Sequence, residues 1–234
     1  AARPSMGKTA FVLNVAENVA IKQGITTAVF SLEMSDVQLV NRMLSLESSV
    51  DADKLRKGRL DSNDWGKLIE GADSIAKSKL IIDATPGISI ADLRSKCRKY
   101  KMENNLGLII IDYLQLMSGS GRTESRQQEI SDISRSLKAL ARELDVPVVT
   151  LSQLSRAVEQ RPDHRPMLSD LRESGAIEQD ADVVMFLYRD DYYNKESEKK
   201  NIAEIIVAKQ RNGPVGTVEL AWRPQYTQFG NLSK

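Results

Sequence analysis

The feature that most constrains this chain is an octapeptide near its start, Ala-Arg-Pro-Ser-Met-Gly-Lys-Thr at residues 2–9. It fits the pattern G-x-x-x-x-G-K-[ST] of a phosphate-binding loop, with Ala2 in place of the first glycine. Gly7 lets backbone N–H groups approach phosphate oxygens, Lys8 supplies a positive charge, and the Thr9 hydroxyl is a ligand for Mg²⁺. The apolar residues that follow are spaced as in a helix, whose N-terminal N–H groups would face the phosphates. The alternative is a loop–helix junction that contains Gly-Lys-Thr by chance.

The bulk composition excludes several classes of protein. With 234 residues the chain fits one sizeable domain, and 41% hydrophobic with 28% charged residues is ordinary for a globular protein. A net charge of +1 gives no overall attraction to nucleic acid, so such binding would need local patches. Cys97 is the only cysteine, which excludes an intrachain disulfide and suits a reducing cytoplasm. No segment has the ~20 apolar residues of a membrane span, so we expect no membrane association.

Two predicted strands end in a carboxylate. Residues 26–32 and 108–112 include apolar runs typical of buried parallel strands, and they lead to Glu33 and Asp112. Because ligands bind at the carboxyl ends of strands in open α/β sheets, both acids are expected near the loop. Asp112 fits the acid that holds Mg²⁺ through water. Tyr113 follows it instead of a glutamate, so Glu33 is the better candidate for the base that activates water.

Strands and helices alternate along most of the chain. Periodicity and capping residues predict further helices at residues 36–46, 51–78, 89–101 and 127–144. Further strands are predicted at residues 80–83, 148–153, 183–188, 202–208 and 217–222, the last two as a hairpin. This order predicts one α/β domain over residues 1–234, with a mostly parallel central sheet flanked by helices and a C-terminal β-hairpin.

Some polar positions allow both a functional and a structural interpretation. Gln153 ends a strand, where it could sense a γ-phosphate or simply be a polar strand end. The basic residues within 94–101 could face an anionic partner, but such a run is more often a solvated helix face.

The loops carry further candidates. Residues 119–125 and 189–200 have loop composition, the second strongly charged. Residues 154–182 lack a clear period and are expected to form a functional loop, in which His164 has no partner at metal spacing and is expected to be solvated. Lys209 and Arg211 lie at the hairpin tip, where two positive charges could reach out of the domain.

Six strings occur in order along nearly the whole chain. They are the loop at 2–9, Phe-Ser-Leu-Glu-Met at 30–34, Ile-Ile-Asp-Tyr-Leu-Gln at 110–115, Leu-Ser-Gln-Leu at 151–154, Asp-Leu-Arg-Glu-Ser-Gly at 170–175 with Ile-Glu-Gln-Asp at 177–180, and Lys-Gln-Arg-Asn-Gly-Pro at 209–214. Together they resemble the RecA-like motor domain of the DnaB-type replicative helicases, in which alanine at the first loop position is frequent. The resemblance implies a RecA-like P-loop NTPase fold and a DNA helicase that hydrolyses ATP.

The resemblance also implies roles at the nucleotide. Glu33 matches the catalytic glutamate that polarises the attacking water, and Gln153 matches the glutamine that couples the γ-phosphate to DNA-facing loops. Thr9 and Asp112 match the Mg²⁺ site. The other residues implied to contact ATP from the same subunit are Ser5, Met6, Gly7, Lys8 and Arg42.

Two more groups follow from the same resemblance. Arg172, Glu173 and Gly175 match the loop that grips the backbone of single-stranded DNA in a central channel. Lys209 and Arg211 match residues that a neighbouring subunit projects onto the γ-phosphate, with the arginine acting as a finger.

The implied partners are single-stranded DNA, further copies of the chain in a homohexameric ring, and a primase and a helicase loader. The implied location is a bacterial or phage replisome, cytoplasmic and associated with the nucleoid. Because the chain starts at Ala1, we expect a fragment. The strand before the loop, the N-terminal domain that contacts primase and the linker helix would be missing from it.

Two other functions remain open on the same fold. One is a recombination ATPase of the RecA or RadA type, which forms filaments and exchanges strands. The other is an ATP-dependent switch or loader that assembles without translocating. The strings at 30–34 and 209–211 favour the ring helicase over the recombination ATPase, whereas the switch predicts binding and assembly without unwinding.

Overall fold

A parallel sheet forms the centre of the protein. The computed structural model describes residues 1–119 and 125–232, without the side chains of residues 172–174. The sheet has the order β2-β1-β3-β4, and every pair is parallel. Its strands are β1 Thr27–Ser31, β2 Leu80–Asp83, β3 Leu108–Asp112 and β4 Val148–Thr150. All residues of β1 and β3 are buried, as expected of central strands covered on both faces.

Helices cover both faces of this sheet. Side chains cap several of them as the sequence predicts, with Ser35, Asp51, Asp61 and Ser89 each accepting a hydrogen bond from a first-turn N–H group. The helices are α1 Lys8–Ala16, α2 Asp36–Ser48, α3 Ala52–Lys57, α4 Ser62–Lys77, α5 Ile90–Asn104, α6 Arg126–Leu144, α7 Gly175–Asp180 and α8 Asp190–Tyr193. Glu17–Lys22 continues α1 as a π-helical segment.

A second, antiparallel sheet follows the first. It has the order β5-β6-β7-β8 and contains the predicted hairpin, which β6 and β7 form. Its strands are β5 Val183–Tyr188, β6 Ile202–Gln210, β7 Gly216–Arg223 and β8 Gln228–Asn231. The sequence pattern does not predict β8, because its four residues carry no clear alternation of apolar and polar side chains.

The first two residues join the two sheets. The Ala2 N–H donates to the Ser152 carbonyl (3.3 Å), and the Ala2 carbonyl accepts from the Leu154 N–H (3.3 Å). On the other side, the Leu187 N–H donates to the Ala1 carbonyl (3.0 Å). The chain that leads into the loop therefore runs between the end of β4 and β5, and it places the loop where both sheets meet.

Three of the five apolar clusters among the described residues connect the two sheets, the loop and the covering helices. The largest lies between the parallel sheet and helices α5 and α6, and it includes Ile109, Leu93 and Leu137. A second packs α1 against the other face of the sheet. The third packs the loop and α1 against the antiparallel sheet. The loop thus rests on packed apolar side chains on several sides.

The segment predicted as a loop at 154–182 is more ordered than its composition suggests. It contains the 3₁₀ segments Arg156–Gln160 and Leu168–Ser174 as well as α7. Arg161 forms an ion pair with Asp170, which is 2% exposed (Nη1–Oδ1 2.9 Å). This ion pair within the segment, together with the burial of Val158 and Leu171 against β5, orders a stretch that has no regular hydrophobic period.

The prediction of a solvated histidine is wrong. His164 is half-buried, its Nδ1 atom is shielded from solvent, and its ring stacks on Tyr193 with centroids 4.3 Å apart. The reason is tertiary, because Tyr193 comes from α8, a short helix in a segment whose charged composition predicts a loop.

The basic run on α5 is largely neutralised within the chain. Lys96 pairs with Asp83 (Nζ–Oδ2 2.6 Å), and Arg94 and Arg98 both pair with Glu143. This agrees with the favoured interpretation of a solvated face. Among the described residues, no helix is both long and apolar enough to span a membrane.

Candidate nucleotide site

The octapeptide forms a tight loop that ends at an open helix N-terminus. Gly7 lies in the left-handed region (φ 102°) and is the N-cap of α1, with no side-chain hydrogen bond capping the helix. The first N–H groups of α1 therefore have no side chain to satisfy them and can bind an anion. Ser5 also has a positive φ (64°) and is exposed, whereas Met6 is buried. The loop therefore combines a left-handed glycine with an uncapped helix N-terminus.

Lys8 folds back over the loop. Its Nζ donates to the carbonyls of Ala2 (2.9 Å) and Arg3 (3.3 Å). Burial lowers the pKa of the Lys8 ammonium below its ordinary value, while the charges of Asp112 and Glu33 act in the opposite direction. The ammonium is thus held at the loop within range of both acids, where a phosphate would also lie.

Thr9 and Asp112 meet although 103 positions separate them. The Thr9 hydroxyl donates to Asp112 Oδ2 at 2.6 Å, and Asp112 is 2% exposed. Burial raises the pKa of the Asp112 carboxyl above its ordinary value, with the hydrogen bond from Thr9 opposing the change. A desolvated carboxylate beside a hydroxyl is a donor set that suits Mg²⁺.

The chemistry of this donor set fits a nucleotide-bound metal rather than an all-protein cage. Among residues 1–119 and 125–232, no three His, Cys, Asp or Glu side chains cluster to hold a metal ion. Mg²⁺ is commonly held by one or two carboxylates together with substrate phosphates.

Glu33 follows β1 at the same edge of the sheet. Ser31 pairs with Asp112 in the ladder, and the Leu32 N–H donates to the Asp112 carbonyl (2.7 Å). The Ser31 hydroxyl donates to the Met34 carbonyl (2.8 Å), which turns the chain immediately after the strand. Glu33 is exposed at this turn. The strand register therefore brings the proposed base and the proposed metal ligand to adjacent strand ends.

Arg42 reaches the same cluster from α2. Burial lowers the pKa of its guanidinium below the ordinary value, and the charges of Asp112 and Glu33 raise it. These two acids thus face two cations, Lys8 and Arg42. With Thr9, the structure brings together predicted site residues that lie far apart in the sequence.

Gln153 lies three residues beyond the end of the neighbouring strand, which is shorter than the predicted 148–153. It follows β4 and forms a parallel bridge with Ala2, the first residue of the loop. Its backbone N–H donates to Gln115 Oε1 (3.3 Å), and Gln115 Nε2 donates to Ser152 Oγ (2.9 Å). Gln115 belongs to the string at 110–115, but only the structure indicates its role, which is to hold the segment around Gln153.

Lys209 and Arg211 lie elsewhere in the chain. The Lys209 ammonium donates to the Glu178 carbonyl, and Arg211 donates to the Gln179 carbonyl (2.7 Å). Arg211 Nε also lies 3.4 Å from Asp182 Oδ1. Within the described part of the chain, no hydrogen bond or ion pair joins either cation to Lys8, Thr9 or Asp112. The two charges rest against the end of α7 instead of projecting from the hairpin tip.

The predicted DNA-contacting residues are only partly described. Gly175 is exposed and is the first residue of α7. The side chains of Arg172 and Glu173 lie outside the described residues, as does most of the predicted loop at 119–125.

Three residues of this site carry no functional signal that the sequence patterns detect. Arg3 donates to the Leu154 carbonyl (2.7 Å) and pairs with Glu159 (2.9 Å), so it fixes the loop to the segment after β4. Asn14 accepts a hydrogen bond from the Phe229 N–H, and the Phe229 ring lies beside Gly7. Asn14 is a polar residue among the apolar residues that follow the loop, which is unusual, but this pattern does not show that Phe229 is its partner.

Comparison with known families covers nearly the entire chain. The model of the family described as the DnaB-like helicase C-terminal domain matches residues 1–231. The replicative DNA helicase DnaB of Geobacillus stearothermophilus is 64% identical over 235 residues, and the replicative DNA helicase DnaC of Bacillus subtilis (strain 168) is 62% identical. Each alignment covers 100% of this chain and 52% of the relative, so the chain spans about half the length of the curated relatives it matches.

Solved structures give the same result. One, described as an ATPase domain, matches with a TM-score of 0.95 at 50% identity, over 99% of this chain and 83% of the other. A DnaB-like replicative helicase, described together with its interactions with primase, matches with a TM-score of 0.96 at 50% identity, over 99% of this chain and 56% of the other.

Proposed function

Because the chain belongs to the DnaB-like helicase C-terminal domain family, we propose that it is the ATP-hydrolysing motor of a replicative DNA helicase. The observation that carries the proposal is the contact between Thr9 and Asp112 beside the open N-terminus of α1. Anion-binding N–H groups and an oxygen pair suited to Mg²⁺ thereby lie together, which is the arrangement that phosphoryl transfer requires.

The residues at this edge of the parallel sheet have distinct roles in the proposed mechanism. The N–H groups after Gly7 and the Lys8 ammonium bind the β- and γ-phosphates, with Ser5 and Met6 shaping the loop. Thr9 and Asp112 hold Mg²⁺, which supplies charge neutralisation at the phosphates when bound. Arg42 lies within electrostatic range of the same acids and contributes positive charge. ATP and Mg²⁺ are therefore the proposed ligands.

Glu33 is the proposed base. Its carboxylate lies at a strand end adjacent to Asp112, and it is exposed where a water molecule can reach it. It would orient the attacking water and accept its proton, while the bond from the γ-phosphorus to the leaving oxygen breaks. Gln153, whose backbone pairs with Ala2 of the loop, would carry the change at the γ-phosphate into the segment that follows β4.

Lys209 and Arg211 are proposed to act on the nucleotide of a neighbouring copy. Both lie at the end of β6, apart from the nucleotide site of their own chain, and both are bound to carbonyl groups of α7. Such cations can be redirected to a γ-phosphate when copies pack against each other. Arginine fingers contribute roughly 10³–10⁵ in rate in characterised NTPases, so an isolated copy should hydrolyse ATP slowly.

Binding to single-stranded DNA is proposed for the segment that contains Arg172, Glu173 and Gly175. The segment continues into α7, whose terminal carbonyls bind Lys209 and Arg211. A cation that moves to a neighbouring nucleotide would leave α7, and this would couple hydrolysis to the DNA-contacting segment. Binding through phosphates would be independent of base sequence.

The partners follow from the same family membership. We propose that copies of the chain form a homohexameric ring in the cytoplasm, at a bacterial or phage replisome. Contact with primase and with a loader would use parts of the protein beyond this domain. A primase interaction has been described for one of the structural relatives.

The test is ATP turnover over a series of protein concentrations, with and without a single-stranded DNA oligomer. A composite site between copies predicts turnover that rises more steeply than linearly with concentration and rises further with DNA. Lys8→Ala is the control without phosphate binding, and it should remove both effects.

Flat turnover that ignores DNA in the full-length protein would contradict a DNA-driven motor. It would favour the ATP-dependent switch instead. Filaments in place of rings in electron micrographs would favour a recombination ATPase.

A further inference from the structure

Asn14 binds the C-terminal strand to the helix that starts at the loop. It lies two turns into α1 and is 5% exposed. Its Nδ2 donates to the carbonyls of Ala10 (2.7 Å) and Thr227 (3.0 Å), and its Oδ1 accepts the Phe229 N–H (2.9 Å). A buried carboxamide with no partner would be costly, and here both of its polar atoms form hydrogen bonds.

The two bonds to the C-terminal segment lie on either side of the first residue of β8. Thr227 has a left-handed backbone (φ 51°) immediately before β8, and Phe229 is the second residue of that strand. β8 pairs with β7. The Asn14 side chain therefore fastens the start of β8, and with it the antiparallel sheet, to α1.

Phe229 brings the same strand into contact with the loop itself. A Cβ atom added to Gly7 would lie 3.2 Å from the Cζ atom of the Phe229 ring. The ring also packs edge-to-face on Phe11 of α1, with centroids 5.6 Å apart, and against Trp222 of β7, at 4.5 Å. Gly7 therefore has a left-handed backbone that favours glycine, and the aromatic ring of Phe229 occupies the space where a side chain would lie.

We propose that Asn14 and Phe229 are positioning residues for nucleotide binding, through which β8 sets the place of Gly7 and the orientation of α1. The reason is geometric, because the N–H groups that bind phosphate belong to the first turn of a helix that these two residues fix from one side. This inference rests on the proposed function, since it assigns residues that prepare the same ATP site.

Two substitutions test the two contacts separately. Asn14→Ala removes both bonds to the C-terminal segment. Phe229→Tyr keeps the ring and adds an oxygen at Cζ, the atom that faces Gly7, so it pushes directly on the loop with little change elsewhere. Leu93→Ala is the control, because Leu93 is fully buried in a different cluster, on α5.

The measurements are the Kd of a fluorescent ATP analogue with Mg²⁺ and the Tm of each variant, with binding measured well below every Tm. We expect Asn14→Ala and Phe229→Tyr each to raise the Kd by roughly tenfold, within the range of about 5–150-fold typical of coupling between sites. Leu93→Ala should lower the Tm and leave the Kd unchanged. Hydrogen exchange of the amides of α1 should be faster in Asn14→Ala than in Leu93→Ala.

The outcomes separate this inference from the function on which it rests. A wild-type chain that binds the analogue no better than Lys8→Ala would refute the proposed function and the inference together. P-loop-dependent binding in the wild type, with an unchanged Kd in both Asn14→Ala and Phe229→Tyr, would refute the inference alone. A Kd that also rises in Leu93→Ala would show a general effect of stability and overturn the assignment.

Discussion

At the scale of single residues, the nucleotide site carries charges that folding alone does not favour. Asp112 is 2% exposed, and its carboxyl faces Glu33 as well as the cations Lys8 and Arg42. Desolvation is the largest influence on Asp112 and outweighs the stabilising contacts, since the net direction of its pKa is upward. Such a group lowers the free energy of unfolding, but its charge can bind a cation.

Asp112→Asn should therefore stabilise the protein while removing Mg²⁺-dependent hydrolysis. An asparagine keeps an oxygen that can accept the Thr9 hydroxyl but carries no charge that must be desolvated. We expect a higher Tm at pH 7, by roughly 2–4 °C for each kcal/mol gained in a domain of this size. Thermal unfolding of both proteins from pH 7 down to pH 4 measures it.

The pH dependence gives the sign of this effect. Because the folded-state pKa of Asp112 lies above the unfolded value near 3.8, the folded protein binds the proton more tightly. The destabilisation is complete above the folded pKa and fades as the pH falls toward 3.8. The advantage of the asparagine should shrink in the same range. A lower Tm for Asp112→Asn at pH 7 would contradict this account.

Glu33→Gln separates binding from turnover. The amide keeps the size of the side chain but cannot accept a proton from water, so ATP binding should persist while hydrolysis falls by at least about 10². Equilibrium binding of a nucleotide analogue and steady-state turnover measure the two properties. Hydrolysis at the normal rate would place the base on another residue.

At the scale of elements, α2 connects β1 to the charges of the site. Its N-terminus is fixed by a reciprocal pair of bonds, in which Ser35 accepts from the Gln38 N–H and Gln38 Oε1 accepts from the Ser35 N–H (3.1 Å). The helix then buries Leu39, Met43 and Leu46. One apolar face and one cap thus set the direction in which α2 presents Arg42.

Ser35→Ala should lower the free energy of unfolding by about 1 kcal/mol, because it leaves a first-turn N–H group without its acceptor. Ser35→Asp is the matched control, since a carboxylate can cap the same group and also favours a helix N-terminus. Chemical denaturation of the three proteins measures the difference. Equal stability of Ser35→Ala and the wild type would show that water satisfies the group equally well.

At the scale of the whole molecule, the proposed active site is larger than one copy of the chain. One half contains Lys8, Thr9, Asp112 and Glu33, whereas Arg211 follows β6 and binds a carbonyl of α7. The two halves belong to different sheets, which meet at residues 1 and 2. If copies pack side by side, the half of one copy that contains Lys8 would meet the half of its neighbour that contains Arg211.

Mixed assemblies test this division. Arg211→Ala should inactivate an assembly made only of that variant, since every nucleotide would lack its finger. Mixing it with Lys8→Ala should restore part of the activity, because some interfaces then pair an intact loop with an intact arginine. ATP turnover as a function of the mixing ratio measures the recovery, and no recovery at any ratio would contradict action between copies.

Local patterns determined much of the fold. The bounds of β2, β3 and β5 agree with the predicted strands, and Ser35, Asp61 and Ser89 start helices as predicted. Hydrophobic periodicity and helix capping depend on residues a few positions apart, so both can be recognised in the sequence. The loop at 2–9 is local in the same sense, because its backbone conformation depends on Gly7.

Only the tertiary structure decided which distant residues meet. Asn14 and Phe229 are 215 positions apart, and β8 is too short and too mixed to show a period. His164 is shielded because Tyr193 packs on it, a contact that no local pattern contains. Such contacts depend on how layers pack over the entire chain. The sequence by itself determined the elements and the chemistry at their ends, whereas packing decided how the loop is supported.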